Sequence, residues 1–555
     1  MPNTSYAGDT YLDYPQVEAV CRELAARHPD WVALDVVGHS RHGRPLLLLT
    51  IGAAGERDQR PGFWLDGGTH APELTGVMSA LYSAARWVEG LAAGDAELVT
   101  WFSDQTAYVM PCISPDGFQA IMEGAPFLRS TLRPPPPGVV RQGFEPRDID
   151  GDGRVRWMRW RHPAGAWVDT ADAPHVPRPR TVDDDPSDAY FLASEGEFIE
   201  WDGVTWTAAP RQHGLDLNRN FPGSWRRFTM FGMDGGDYPL SEPESRAVVE
   251  AFRDRRRIAA AVTNHTYTGC ILTQPYRKDT PLAEPDIRLM ESLATQAVEG
   301  TGYRVIRTYP DFMYDPNKAI VGVWADTLST TFGVPGYTLE LWDPYARVGE
   351  QIDNPVEFFR RPDPDVLCRL LQTWAAGADT WSPWQAFDHP QLGPVEVGGL
   401  EYLRTVRNPP EQELAAECAK GHAVADRVRR SLPRVHAELR VETCADGLRE
   451  VTLVLENTGF LPTSGLALAE SIGTAPAPFA VLELDDGASV VRGSITQVLE
   501  HMDGWGQLQV SSANLIYADL PDRGHRAVAR WLVRGDGAIT AMWDAGRGGR
   551  GRLTE

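Results

Sequence analysis

Residues 63–76 read FWLDGGTHAPELTG, and this stretch decides the fold. Phe63, Trp64 and Leu65 give the end of a buried strand, Gly67 and Gly68 loosen the backbone, and His70 stands three residues before Glu73. That spacing places an imidazole and a carboxylate about one helical turn apart, within reach of a common cation. The pair leaves a strand end and enters the amphipathic run Leu74, Val77, Leu81 and Val88. Open α/β sheets carry their sites at this place, the carboxyl ends of strands. Taken alone, the stretch also fits a capping Glu beside a surface His.

Outward from this loop, strand and helix alternate. DYPQVEAVCRELAARHP has Asp13 to cap, Pro15 for a first turn, and Val17, Val20, Cys21 and Leu24 at helical spacing. WVALDVVG and PLLLLTIG are apolar enough to be strands covered on both faces. TAYVMPCISPDGF is a further strand broken by Pro115, Asp116 and Gly117. In SEPESRAVVEAFRDRR, Ser241 and Glu244 have capping-box spacing. IAAAVTNHTYTG delivers His265 at a strand end, Leu289 to Val298 reads as helix, and VPGYTLELWD as another strand. This pattern predicts a mixed α/β sheet flanked by helices over residues 1–383. Between about 123 and 212 the periodicity vanishes among PPPPG, HVPRPR and five tryptophans, which predicts an irregular insertion. From 384 to 555 a single helix, Glu411 to Leu432, precedes alternating runs such as AELRVET, EVTLVLENTG and AVARWLVRG. That texture predicts a separate all-β, sandwich-like accessory domain.

Composition narrows the function. The 555 residues carry a formal charge of −23, the wrong sign for nucleic-acid binding. There is no run of 18 apolar residues and no basic, apolar leader, so the reading is a cytoplasmic protein with no membrane partner. The six cysteines stand singly, without the spacing of a thiolate zinc site or a disulfide framework.

Several short motifs in one order resemble the carboxypeptidase A-like zinc metallopeptidases across roughly residues 10 to 380. They are HAPE at His70, PDG at Pro115, LDLNRNFP at Leu215, HTYTG at His265 and YTLEL at Tyr337, with GHSRHGRPL and SEPES as further likenesses. The resemblance implies one Zn2+ per chain held by His70, Glu73 and His265, with Glu340 as general base. Two imidazoles and a carboxylate leave a fourth zinc position open, and burial of Glu340 among apolar neighbours suits it to shuttle a proton. It implies that Asn218 and Arg219 hold the free C-terminal carboxylate of a peptide or peptide-like substrate, and that Tyr267 lines a subsite. A planar guanidinium grips a carboxylate bidentately. The cation for the developing oxyanion is expected from RVRWMRWR, with Arg159 first, Arg161 second and Arg156 third, although the same alternation fits a strand with a solvated basic face.

The chain also departs from the family pattern. No Tyr falls at the spacing of the family's mobile tyrosine, Tyr314 being the nearest, and the specificity position falls near Ala325. DIDGDG puts Asp148, Asp150 and Asp152 at positions 1, 3 and 5 of an EF-hand-type loop, but Arg159 stands at position 12, where Glu is needed. A full EF-hand is excluded; a Ca2+ site completed by Asp169 or Asp172 and a plain Asp-Gly turn both fit. The function implied is a zinc metallocarboxypeptidase hydrolysing the C-terminal peptide bond. The alternatives are a zinc amidohydrolase acting on acyl-amino acids and a non-catalytic peptide-binding homologue.

Overall fold

The computed structural model describes residues 6–555 apart from 126–127, 136, 231–232, 316–317, 353, 378–379 and 511–522. Its centre is an eight-stranded mixed sheet. The strands follow one another across it as Val32–His39, Pro45–Ile51, Thr106–Met110, Gly62–Gly67, Ile258–Thr266, Gly336–Leu341, Cys270–Thr273 and Arg304–Arg307. Thr106–Met110, Gly62–Gly67, Ile258–Thr266 and Gly336–Leu341 run parallel, so their carboxyl ends open on one side.

The continuous apolar runs reflect two cores, one on each face. Phe63, Leu65, Leu47 and Leu49 face one core with Leu74, Val77 and Leu81 of helix Leu74–Ala93. Trp64 and Leu48 face the other, with Phe252 of helix Pro243–Asp254 and Trp324 of helix Trp324–Thr330. Pro45–Ile51 is thus covered on both sides as expected, whereas Val32–His39 is an edge strand with Val36 exposed. The first helix, Tyr14–Arg27, is capped by Asp13, which accepts from Gln16 N–H in a capping box. Pro115 does not merely break a strand; it opens the helix Pro115–Met122, where its missing N–H costs nothing.

Three expectations need correction. The stretch 123–212 is not irregular: Trp157–Arg161, Trp167–Thr170, Ala173–Pro179 and Tyr190–Ser194 join Trp381–His389 and Gly393–Leu400 in a six-stranded antiparallel sheet. Strands of four to seven residues separated by Pro and Gly are too short for a period to show. The boundary at 384 falls inside the strand Trp381–His389. The helix Glu411–Arg430 then returns to the first core, where Leu414, Cys418, Val424 and Val428 pack with residues of helix Leu74–Ala93. Ser241 and Glu244 form no capping box; Ser241 instead contacts Asn220 and Glu242.

Beyond Leu432 the chain forms two four-stranded antiparallel sheets that share a core of Val451, Leu453, Trp531, Leu482 and Ala541, among others, giving the sandwich-like module.

Candidate metal and active site

The three candidate zinc ligands meet at the carboxyl ends of the central strands. The turn after Gly62–Gly67 carries His70 and Glu73, and Ile258–Thr266 ends with His265. Gly67 and Gly76 allow this turn to be tight, since a Cβ on Gly67 would lie 2.3 Å from Gly76 O and one on Gly76 2.8 Å from Asn264 O.

The ligand atoms converge. His70 Nδ1 lies 2.9 Å from Glu73 Oε1, His265 Nδ1 2.9 Å from Glu73 Oε2, and the two Nδ1 atoms 3.1 Å from each other. All three side chains are buried. Ligands at about 2.0–2.2 Å from a tetrahedral zinc stand roughly 3.3 Å apart, so the spacing suits that ion. The outer ring nitrogens fit too. His70 Nε2 is 3.1 Å from Asp216 Oδ1, and His265 Nε2 is 3.4 Å from Thr263 Oγ1. Outward-donating Nε2–H groups leave both Nδ1 lone pairs facing the centre, the arrangement that orients histidine ligands. The donor set therefore fits zinc.

Electrostatics agree with that assignment. Burial alone would raise the Glu73 carboxyl, but His70 and Arg129 outweigh it and hold the group well below the usual range. Burial lowers the His265 imidazole, which favours the neutral, ligating form. Asp216 is likewise buried, yet Arg219, Arg129 and His70 keep it ionised.

Glu340 stands on the neighbouring parallel strand, in register with His265. Burial, and then the charge of Glu73, push its pKa well above that of an ordinary carboxylate. It opens into a cavity of about 380 Å³ that is also lined by Glu73, Arg129, Arg219, Tyr267 and Tyr314. A larger cavity, of about 530 Å³, lies beside Asp152, Arg154 and Glu401 and contains none of the converging ligands, so volume does not identify the site.

The remaining candidates divide. Arg219 lines the cavity, with its guanidinium 5.0 Å from the Phe228 ring and NH1 donating to Asn218 O at 2.6 Å. Asn218 is adjacent, but its side-chain oxygen accepts Trp324 N–H at 2.9 Å. Tyr267 and Tyr314 both reach the cavity. Burial and the Glu340 charge push the Tyr314 phenol up to about 12. Ala325 is buried beside Tyr276, Ile320 and Val323 and is not among the residues lining the cavity.

Arg159 is not brought to this site. Its Nε donates to Glu396 at 2.7 Å and NH1 to Asp169 at 2.8 Å, and it lies over Trp384. Arg161 donates to Asp188 O, and Arg156 pairs with Asp152. The alternation of Arg with Trp and Met was that of an ordinary strand. The cations beside Glu73 are Arg129, 3.0 Å from Oε1, and Arg407, 3.4 Å from the same oxygen. Arg129 sits in FLRSTLRPPPP, where neither period nor spacing marks it, and Arg407 is 334 positions from Glu73. Asp216 was visible within LDLNRNFP, but only the fold shows it behind His70.

At the DIDGDG loop, Asp148 and Asp150 lie near Glu195, and these three carboxylates could hold a cation. Asp152 turns away to Arg156, and Asp169 serves Arg159. Asp148 accepts from Gly151 and Gly153 N–H, the bonds of an Asp-Gly turn.

The model of the zinc carboxypeptidase family matches residues 17–354, more than half of the chain, and the protein belongs to that family. His70, Glu73 and His265 are its zinc-binding set. A domain of unknown function matches residues 435–554. Carboxypeptidase B of Astacus astacus is 34% identical over 109 residues, which cover 20% of this chain and 34% of that protein. The chain thus spans about a third of that relative's length. Among solved structures, thrombin activatable fibrinolysis inhibitor has 16% identity and a TM-score of 0.44, covering 77% of this chain and 76% of that one. Carboxypeptidase A from Helicoverpa armigera has 15% identity and a TM-score of 0.42, covering 77% and 76%. Among the described residues no helix is long and apolar enough to cross a membrane.

Proposed function

We propose that the protein is a metallocarboxypeptidase that releases the C-terminal residue of peptides. The observation carrying this reading is the placement of Glu340 in register with His265, in the cavity that also holds Glu73 and Arg219. His70, Glu73 and His265 would hold a zinc ion, which when bound would supply a Lewis acid to acidify a water and polarise a carbonyl.

The chain's own groups account for the rest. Arg219 grips the substrate's terminal carboxylate in a planar fork, fixing which amide bond lies beside Glu340. Tyr267 and Tyr314 line the space around the substrate. Glu340 takes the proton of the attacking water and delivers it to the departing amine nitrogen. Its raised pKa suits a group that must both accept and release a proton. Arg129, beside Glu73, faces the carbonyl oxygen as negative charge develops there, the role first expected of Arg159. Asn218 acts through the backbone it holds at Trp324.

Peptides with free and amidated C-termini test the reading, with products read by mass spectrometry. Free-acid peptides should lose single C-terminal residues while amidated ones persist. Arg219→Ala should lower kcat/KM on free acids by an amount equivalent to about 2–5 kcal/mol, with zinc content unchanged. Internal cleavage, or equal rates on both peptide types, would overturn the proposal.

A further inference from the structure

Arg407 enters the cavity from a segment beyond residue 354, where the family match ends. Its position is fixed from the next residue. Asn408 Nδ2 donates to Pro72 O at 2.8 Å, and its Oδ1 accepts from Thr75 N and Oγ1 at 3.0 and 3.1 Å. The turn Leu403–Arg407 is thereby tied to the loop that carries His70 and Glu73.

The guanidinium is held but not saturated. NH1 donates to Thr266 O at 3.0 Å, and the group lies 5.2 Å from the Tyr267 ring. Its Nε is buried without an acceptor. The contact with Glu73 Oε1, at 3.4 Å, is the longest of three on that oxygen, behind His70 at 2.9 Å and Arg129 at 3.0 Å. Glu73 also belongs to the metal set, so its charge is not reserved for Arg407.

The surroundings have the same sign. Arg129, Arg211, Arg219, Arg360 and Arg407 line the cavity against Glu73, Asp216 and Glu340, and with Arg360 paired to Glu357 the arginines still outnumber the carboxylates by one, although the whole chain carries −23. Such a local reversal draws anionic ligands. Arg219 lies by Phe228, whereas Arg407 lies by Thr266 and Tyr267, the two residues that follow the ligand His265. A peptide anchored at Arg219 therefore presents its acyl-side residues to Arg407. A neutral side chain there would leave a desolvated guanidinium short of a partner, while a carboxylate would complete it.

We infer that Arg407 is a substrate-binding residue that selects an acidic side chain on the residue preceding the scissile bond. This rests on the carboxypeptidase reading above. The test uses zinc-loaded protein carrying Glu340→Gln, to suppress turnover, and the peptides acetyl-Ala-Glu-Leu and acetyl-Ala-Gln-Leu, which differ by one charge. Calorimetry should show the Glu peptide binding about tenfold tighter. Adding Arg407→Gln should bring the ratio to about one, and Arg407→Lys, which keeps the charge without the fork, should leave an intermediate ratio. Equal affinities, or a ratio that survives Arg407→Gln, would each overturn the inference. Wild-type protein that hydrolyses both peptides equally would do so while leaving the carboxypeptidase reading intact. Failure to hydrolyse either would count against that reading instead.

Discussion

Glu244 lies fully buried at the start of helix Pro243–Asp254, where its carboxylate accepts Arg41 N–H at 2.9 Å while Oε2 has no partner. Burial raises its pKa from an ordinary 4.5 to about 7. A raised folded-state pKa means that the folded form binds the proton more tightly. Its stabilisation is therefore full below about pH 4.5 and is lost as pH rises through about 7. Glu244→Gln keeps an acceptor for Arg41 and removes the charge. Its stability relative to wild type should rise between pH 5 and 8 by up to about 3 kcal/mol, measured by denaturant unfolding. Parallel pH profiles would contradict this. At the same scale, sequence marked His70 and Glu73 by local spacing and His265 by a strand end, whereas Glu340 was marked by the resemblance of YTLEL to the family's general-base motif. It missed Arg129 and Arg407 because a lone arginine in an aperiodic loop has no local pattern, and only folding brings it to Glu73.

The helix Glu411–Arg430 shows what an element can conceal. Its 3.6-residue period was legible, but the surface it covers was not: it packs in the first core, against helix Leu74–Ala93. Gly421 sets that approach, since a Cβ there would lie 2.2 Å from Ser79 Oγ. In an isolated helix Gly→Ala gains about 1 kcal/mol. Here Gly421→Ala should instead destabilise by about 1–3 kcal/mol through overpacking. The cost should shrink in the double variant with Ser79→Ala, because Ser79 Oγ is buried without a hydrogen-bond partner and its loss removes the shortest contact, leaving Leu341 Cδ2 at 3.0 Å and the Cβ of residue 79 at 3.3 Å. Thermal unfolding of the single and double variants decides the matter; stabilisation by Gly421→Ala alone would show that the helices are not in such close contact. The short strands of the Trp-rich sheet were illegible for a different reason, their pairing with Trp381–Leu400 being remote in sequence.

Across the whole molecule, the C-terminal module is bonded to the loop that feeds the Glu340 strand. Arg547, 2% exposed, donates to Phe332 O at 2.6 Å and to Gly333 O at 3.1 Å, and Arg257 pairs with Asp544. Arg547→Ala would take one donor from each of those carbonyls, leaving Phe332 O with Thr474 Oγ1 and Gly333 O with Leu466 N–H, and should cost about 1–3 kcal/mol, lowering the melting point of both parts together. Separate transitions with an unmoved catalytic part would show the contact to be incidental. The central claim, that His70, Glu73 and His265 hold the metal while Glu340 moves the proton, is tested by measuring zinc content and peptide turnover in wild type, His265→Ala and Glu340→Gln side by side. Wild type should hold about one zinc per chain and hydrolyse free-acid peptides. His265→Ala should lose the zinc, and Glu340→Gln should keep it while losing turnover by on the order of a thousandfold or more. Full zinc occupancy in His265→Ala, or near-normal turnover in Glu340→Gln, would contradict the account.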